Sequence, residues 1–212
     1  MQFISKVLGK QNLTKKKTSK QLFYNFNNEK QYVDTMEVTE EYNYFEDKDL
    51  QIVELPYTKD SMSAVILLPN KDKNINDFIE ELNDEKLQKL LKRMIPIKIN
   101  LKLPKFKLDK NYTLNEDLQR MGMKLPFHPS AYLTGIAAGS MYIDSVIQKS
   151  YLAVDEKGTE ASSATIVIIV TRGGGGYTPS MIINRPFIFM LRNKNLPVNY
   201  EMLFMSKVLK LE

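Results

Sequence analysis

Few residues of this sequence have the types and spacing that catalysis requires. His128 is the one histidine, and it stands between Phe127 and Pro129. A histidine can act as a general base, but no Gly-x-Ser-x-Gly elbow accompanies it, so a hydrolytic triad is unsupported. We interpret His128 as a structural loop residue. With no cysteine in the chain, a zinc site is unsupported as well. Because no site of these kinds stands out, we expect no metal, no cofactor and no enzyme activity.

Four consecutive glycines, Gly173–Gly176, are the second feature that could indicate chemistry. A phosphate-binding cradle needs a helix N-terminus after the glycines, and often a Lys-Ser/Thr pair. Here the glycines are followed by the turn-like Tyr177–Ser180 and then by the strand-like Met181–Ile183. We therefore interpret the glycines as a flexible spacer.

The segment before the glycines, Glu156–Arg172, reads EKGTEASSATIVIIVTR. Its content of Ile, Val and Thr is typical of a buried strand. It nevertheless runs into glycines and turn residues that belong on a surface. Two interpretations fit, an ordinary core strand or a strand that stays exposed until it joins a sheet. The pattern by itself favours the core strand.

The composition is that of a globular protein, with 212 residues, 43% hydrophobic and 26% charged. No apolar run reaches about 18 residues, so we expect no transmembrane helix and no membrane partner. The first residues do not form a signal peptide. The net charge of +5 arises partly from lysines within residues 15–20 and 102–110. Since no nucleic-acid motif accompanies them, we interpret these clusters as solvated faces and expect no nucleic-acid partner.

The elements that must position these segments are mostly strands. Gln51–Leu55 and Ser63–Leu68 each end at a proline and predict a β-hairpin, whose second strand is apolar on both faces. Lys10–Lys20 is predicted to be an unstructured lead-in. Further strands are predicted within residues 97–103, 141–155, 186–191 and 200–211.

Two segments have helical patterns. Apolar residues between positions 78 and 94 recur at spacings typical of one helix or of two short helices. Asn76 or Asp77 is the predicted cap, and Pro96 the predicted stop. A further short helix is predicted over residues 113–121.

The order of these elements predicts the fold class. Strands come first, then helix, then many strands, which indicates an α+β fold dominated by antiparallel sheets with a few helices. Neither an internal repeat nor a linker divides the sequence. We therefore expect a single domain over residues 1–212.

Several short patterns also follow one another in the order and spacing of one family. They are VDTM at 33–36, LPY at 55–57, AVILLP at 64–69, LPKFK at 103–107, LQRMGM at 118–123, VIQK at 146–149, VDEKGTEA at 154–161, NRPFIF at 184–189 and LFM at 203–205. In these patterns the chain resembles the serpins over about residues 18–212. The resemblance implies a serpin-like multi-sheet fold and a role as a secreted inhibitor of serine proteases. It implies an extracellular location, with the cytoplasm as the alternative.

The resemblance also assigns roles to individual residues. In serpins the segment after a hinge is a bait loop, which a protease cuts and which then inserts as an extra strand into the main sheet. By this resemblance Gln148 is the shutter residue, and Glu156–Arg172 is the bait. Gly158 gives backbone freedom, and the small residues after it can enter a closed core without overpacking it. The implied hinge residues are Glu156, Gly158, Thr159, Glu160, Ala161, Ser162, Ser163 and Ala164.

The position of the scissile bond follows from the hinge. Serpin loops usually place it sixteen residues after the hinge glutamate, which here is the bond between Arg172 and Gly173. An arginine fits the acid-floored specificity pocket of trypsin-like proteases through a charge-assisted contact. The implied partner is therefore a trypsin-like serine protease.

One part of the family pattern has no counterpart in this sequence. The helical N-terminal part of a serpin is missing, as is the Phe-Lys-Gly-x-Trp element of its central strand. We therefore expect an N-terminally truncated, partial serpin domain. The alternative function is that of a non-inhibitory substrate, carrier or inert fragment. Ala164–Val170 is a β segment of low charge, so we also expect a tendency to loop-sheet self-association.

Overall fold

The structure is a computed structural model of the 212-residue chain. It describes residues 17–57, 61–135, 139, 141–155 and 178–211. These fall into two compact units. The second unit is residues 107–153, and the first comprises the described residues on either side of it. The first unit holds a large sheet and two helices, whereas the second holds a two-stranded sheet and one helix.

Strands dominate the described residues, as the sequence predicts. In chain order the elements are β1 (Lys17–Tyr24), β2 (Lys30–Glu46), β3 (Leu50–Pro56), β4 (Met62–Pro69), α1 (Ile75–Glu81), α2 (Asp84–Arg93), β5 (Ile95–Pro104), β6 (Phe106–Thr113), α3 (Asn115–Arg120), β7 (Ile147–Val154), β8 (Ser180–Ile182), β9 (Phe187–Asn193) and β10 (Met202–Val208). Short 3-10 helices lie at Leu125–Phe127 and Val198–Tyr200. The predicted α+β class with mostly antiparallel sheets is confirmed.

The large sheet is organised around β2, the longest strand. Its order is β10-β9-β4-β3-β2-β5-β8, and β1 also pairs with β2. Thr35–Glu37 pair with both β1 and β5, so these two strands lie on opposite edges of β2. The end of β2 pairs with β3. All neighbours are antiparallel except β5 and β8, which run parallel.

The start of β1 corrects the expectation that Lys10–Lys20 is unstructured. Lys17–Lys20 pair with Asp34–Glu37 of β2, and Lys20 forms an ion pair with Asp34 at 3.2 Å. The lysines in this stretch suggest a solvated coil, but β1 lies at an edge of the sheet, where lysine side chains can reach water while the backbone pairs with β2. Residues 10–16 lie outside the described residues.

The predicted hairpin is confirmed as β3 and β4, in which Ile52 lies opposite Leu67 and Val53 opposite Ile66. Every residue of β4 after Met62 is buried. The strand pairs with β3 on one edge and with β9 on the other, so it is a central strand, as its apolar side chains on both faces predict. The predicted pair at the end of the chain is confirmed as β9 and β10.

Helices α1 and α2 cover one face of β3, β4 and β9. Leu87, Leu90 and Leu91 of α2 follow the spacing of a helix stripe and join one buried cluster with strand residues such as Val65 and Ile188. Burying a leucine side chain contributes about 1.5–3 kcal/mol. The stripe therefore holds α2 on the sheet.

The helix starts differ from the sequence prediction. Asn74, not Asn76 or Asp77, caps α1, because its Oδ1 accepts the Asn76 N–H at 2.8 Å. Asn83 caps α2 by accepting the Lys86 N–H at 2.8 Å. Because α1 ends before Leu82 and Asn83 caps a new helix, the segment forms two short helices rather than one.

Replacing Asn83 by alanine should lower the free energy of unfolding by about 1 kcal/mol, because the N–H of Lys86 loses its acceptor. Urea unfolding followed by circular dichroism measures this change. Asn83→Ser is the matched control, since serine offers an oxygen at the same position and should retain most of the stability. Equal losses in the two variants would show that capping is not the cause.

The second unit contains one strand shorter than predicted. The sequence predicts a single strand over residues 141–155, but β7 begins only at Ile147. The backbone before it is bound elsewhere, since the Ile143 N–H donates to the Pro126 carbonyl at 2.8 Å. The side chain of Asn115 accepts the Val146 N–H at 2.8 Å and donates to the Asp144 carbonyl at 2.7 Å.

Candidate functional site

The proposed hinge and scissile bond fall in a segment whose two flanks are well defined. Glu156–Ala164, Arg172 and Gly173 lie outside the described residues. Strand β7 ends at Val154, two residues before Glu156, and β8 begins at Ser180 on the other side. Strand β7 leads into the segment and β8 leads out of it.

Strand β7 is paired on one side only within the described residues. It forms a two-stranded sheet with β6, and the Leu114 N–H donates to the Val146 carbonyl at 2.8 Å, which joins the end of β6 to the start of β7. The other edge of β7 presents backbone N–H and C=O groups without a strand partner there. Such an edge can accept a further strand.

One face of β7 is also open. Ile147 and Tyr151 on this face are exposed, at 68% and 62%. From Lys149 onward exposure alternates along the strand, and Ser150, Leu152 and Val154 on the other face are half-buried. This is the period of two that a strand with one covered face requires. The strand that precedes the hinge thus has an edge without a strand partner among the described residues and an open face that carries Ile147, Lys149 and Tyr151.

Asn115 positions the start of β7, and sequence reasoning missed it. Its amide holds both Asp144 and Val146 through the two hydrogen bonds given above. The side chain therefore joins the first turn of α3 to the chain just before β7. An asparagine at the start of a predicted helix was the available signal, but it is ordinarily interpreted as a local cap.

Strand β8 fixes the other flank to the large sheet. The Asn100 N–H donates to the Pro179 carbonyl at 2.9 Å, and the Ile183 N–H donates to the Lys102 carbonyl at 2.9 Å. Met181 between them is 0% exposed. The strand predicted at Met181–Ile183 is found at Ser180–Ile182. The two backbone hydrogen bonds and the buried Met181 form an anchor that holds this short strand on β5.

A charge pair lies beside this anchor. Glu37 of β2 accepts a hydrogen bond from Asn100 Nδ2 at 3.1 Å and pairs with Lys102 Nζ at 3.5 Å. The hydrogen bond from Asn100 lowers the pKa of Glu37, and the positive charge of Lys102 adds to this against the opposing effect of burial. The carboxylate of Glu37 thus binds the side chains of Asn100 and Lys102, the two residues of β5 at either end of its pairing with β8.

A family model described as Serpin (serine protease inhibitor) matches residues 9–211. The chain belongs to the serpin family. Intracellular coagulation inhibitor 2 of Tachypleus tridentatus is 31% identical over 183 residues, which cover 85% of this chain and 45% of that protein. Iripin-8 of Ixodes ricinus is 35% identical over 186 residues, covering 84% of this chain and 46% of that protein. The chain thus spans about half the length of the curated relatives it matches.

The fold agrees with a solved serpin structure. A thermophilic serpin, tengpin, in its native state, superimposes with a TM-score of 0.72 at 29% sequence identity. The match covers 97% of this chain and 52% of tengpin. The serpin-like fold expected from the sequence patterns is therefore confirmed for this part of the family's structure.

Gln148 is the one proposed site residue that the structure of this serpin chain describes. It lies on β7, is exposed, and its Nε2 donates to the Ser150 Oγ at 3.4 Å. Both side chains lie on the same face of the strand because they are two residues apart. A shutter role for Gln148 stays a prediction, as do the hinge and scissile-bond assignments.

His128 takes part in a local turn of this serpin chain. Its Nδ1 lies 2.6 Å from the Ser130 Oγ and 3.2 Å from the Ser130 nitrogen, and the Ala131 N–H donates to the His128 carbonyl at 2.8 Å. These contacts close the turn that follows Leu125–Phe127. Among the described residues no group of acidic, histidine or cysteine side chains could hold a metal ion, and no helix is long and apolar enough to cross a membrane.

Proposed function

We propose that this serpin chain inhibits trypsin-like serine proteases by presenting a bait loop that is cut between Arg172 and Gly173. The observation that carries the proposal is the Gly-Thr-Glu-Ala sequence at residues 158–161, which begins four residues after the end of β7. Glu156, two residues before that sequence, is the hinge glutamate from which the sixteen residues to Arg172 are counted. The anchored β8 supports the proposal, since it fixes the far end of the loop.

The chemical step is that of acyl transfer to the protease. The protease serine oxygen attacks the carbonyl carbon of Arg172, and the bond from that carbon to the Gly173 nitrogen breaks. The protease histidine passes the serine proton to the Gly173 nitrogen, which becomes a new amino terminus. The carbonyl of Arg172 remains joined to the protease as an ester. Water would next convert this ester to a free carboxylate and release the protease.

Inhibition requires the cut loop to insert into the sheet before water hydrolyses the ester. The free edge of β7 can pair with the cut segment, because that segment follows β7 directly in the chain and can turn back along it. Its small hinge residues and its Ile-Val-Ile-Ile-Val run at 166–170 suit a strand that becomes buried. Movement of the loop would carry the esterified protease with it and distort its active site.

A second function, that of a cleaved substrate, is favoured by one observation. The sheet that contains β7 has only two strands within the described residues. A loop strand that pairs with β7 there gains hydrogen bonds along one edge and leaves its other edge unpaired. Insertion is then weaker, and hydrolysis of the ester competes with it. The chain would release active protease and retain a cut loop.

One gel distinguishes the two functions. We expect trypsin to cut the chain with Gly173 as the new amino terminus, which amino-terminal sequencing measures. A band that combines chain and protease and survives SDS indicates the inhibitor, whereas a clipped band with full protease activity indicates the substrate. Cleavage at other sites with the Arg172–Gly173 bond intact would overturn the proposal.

The compartment belongs to the same proposal. We place the protein outside the cell, where a trypsin-like protease would encounter it. One relative is named as intracellular, so the cytoplasm is the alternative. Fractionation of the producing cells, with detection of the chain in the medium or in the cytosol, decides between them.

A further inference from the structure

One short motif in the second unit has no part in the proposed bait loop. Asn111, Tyr112 and Thr113 form the sequence Asn-x-Thr at the end of β6, and the middle residue is not proline. Enzymes of the secretory pathway attach oligosaccharides to the asparagine of this sequence. Because such triplets are also common by chance, the surroundings of Asn111 decide whether it can accept a glycan.

The side-chain amide of Asn111 is exposed and unused. All three residues of the triplet are exposed, and within the part of the chain that the structure describes the Asn111 side chain forms no hydrogen bond. Asn115, four residues later, is the contrast, since its amide binds the backbone of Asp144 and Val146. A sugar on Asn115 would disturb the bond that its nitrogen donates to Asp144, whereas a sugar on Asn111 breaks no such contact.

Strand geometry places the two reacting positions of the triplet on one side of β6. Successive side chains of a strand alternate between its faces, so Asn111 and Thr113 share a face. The same face carries Lys107 and Asp109, which are both exposed, whereas the half-buried Leu108 belongs to the opposite face. A glycan on Asn111 would therefore extend into water from a polar face of the strand, without displacing a packed side chain.

We propose that Asn111 is a site of N-glycosylation, with an oligosaccharide carried on a lipid pyrophosphate as the donor. The Asn111 Nδ2 forms a bond to C1 of the first sugar, and the bond from C1 to the pyrophosphate oxygen breaks. The lipid pyrophosphate leaves with the electron pair of that bond, and one proton of Nδ2 passes to a carboxylate of the transferase. The Thr113 hydroxyl, on the same face of β6, is the group by which the transferase recognises the triplet.

The inference rests on one part of the proposed function, the location outside the cell, because the transferase acts only inside the secretory pathway. It is independent of the identity of the protease and of the bond at Arg172. A second acceptor triplet occupies residues 12–14 and lies outside the described residues. The structural argument therefore applies to Asn111 alone, and Asn12 serves as the comparison in the test.

The test sends the full 212-residue chain through the secretory pathway of cultured mammalian cells behind an added signal peptide. The chain then meets the transferase whatever its natural compartment is. Peptide:N-glycosidase F removes the glycan and converts the modified asparagine to aspartate, and mass spectrometry after digestion in heavy-oxygen water identifies its position. We expect this conversion at Asn111 in most molecules, with a matching shift in gel mobility. A secreted chain with Asn111 unmodified would overturn the proposal.

Three variants make the test specific. Thr113→Ala removes the hydroxyl and should abolish modification of Asn111, whereas Thr113→Ser keeps a hydroxyl and should retain it. Asn12→Gln is the control and should leave the glycan on Asn111 unchanged. If the mobility shift disappeared in Asn12→Gln and persisted in Thr113→Ala, the glycan would belong to Asn12 and the proposal would be wrong.

The natural protein separates this inference from the location on which it rests. A chain recovered from the cytosol of its producing cells without a glycan, beside a test chain modified at Asn111, would overturn the extracellular location and with it the natural use of the site. A chain recovered from the medium with Asn111 unmodified would overturn the inference and leave the location standing. A glycan on Asn111 of the natural chain would support both.

Discussion

Replacing Arg192 by methionine should lower the free energy of unfolding by about 3 kcal/mol at pH 7. This is the lower end of the range for removing one partner of a buried ion pair. Methionine keeps much of the volume of arginine but has no charge, so the loss reports mainly on electrostatics. Urea unfolding of the two proteins measures it.

The size of this effect follows from the surroundings of Glu54. Its side chain is 2% exposed, and its Oε1 receives Arg192 Nε at 3.0 Å and Arg192 Nη2 at 2.9 Å. Ser63 and Asn43 donate to the same carboxylate at 2.7 Å and 2.8 Å. Lys194 lies 3.3 Å from Oε1 and remains in the variant. We therefore expect the lower end of the range rather than its upper end.

The effect should depend on pH in a defined direction. Burial alone raises the pKa of Glu54, but hydrogen bonds from Ser63 and Asn43 and the charges of Arg192 and Lys194 hold it below its ordinary value. A lowered pKa in the folded state contributes stability above the unfolded pKa of about 4.3, and that contribution is lost as the pH falls through the folded pKa. Without Arg192 the pKa of Glu54 rises. The stability difference between the two proteins should therefore shrink as the pH falls through the higher folded pKa of the variant and then through the lowered folded pKa of the unchanged chain.

Two controls separate the buried pair from charge in general. Lys89→Met removes one partner of an ion pair in which both side chains are more than two-thirds exposed, at 71% and 76%. It should change stability by no more than about 0.5 kcal/mol. The double variant that combines Glu54→Leu with Arg192→Met leaves no unpaired charge at this pair. Its loss in free energy of unfolding should therefore be smaller than the sum of the losses in the two single variants. Additive losses would show that the two side chains are not coupled.

The same pair shows why part of the fold could not be predicted. The hairpin of β3 and β4 was predictable because both strands end at proline and lie close in the sequence, and because the second strand is apolar on both faces. Glu54 lies inside that hairpin, but its partner Arg192 is 138 residues away. Nothing in either local pattern indicates the other. Long-range pairing of this kind depends on the order of strands, which only the assembled sheet determines.

Hydrogen bonds from a distant side chain account for the shorter strand in the second unit. The sequence between residues 141 and 155 reads as one strand, yet the side chain of Asn115 binds the backbone of Asp144 and Val146 and delays the strand to Ile147. A side chain 31 residues upstream is again the cause. For the site, the hinge and Arg172 assignments stay predictions, which rest on short patterns in the chain itself. The open surface around β7 was not predictable, because exposure is a property of neighbours.

Replacing Arg172 by glutamine should slow tryptic cleavage of the Arg172–Gly173 bond on the order of 10²- to 10³-fold. Glutamine keeps a side chain of similar reach and can donate a hydrogen bond, but it has no positive charge. The specificity pocket of a trypsin-like protease has an aspartate at its base. With glutamine bound, that carboxylate stays buried without a counter-charge, and the acylation step bears the cost. The appearance rate of the Gly173 amino terminus measures the change.

Two comparisons within the same digest make this result specific. Arg172→Lys keeps the charge and should retain most of the cleavage rate, because an ammonium can still reach the aspartate. The bond after Arg120, whose side chain is 73% exposed, offers an internal control that should be cut equally in all three proteins. An Arg172→Gln variant that is still cut as fast at the same bond would contradict the assignment of Arg172. New cleavage at another bond within residues 156–177 of the unchanged chain would move the reactive bond there, because a bait loop is defined by where the protease acylates it.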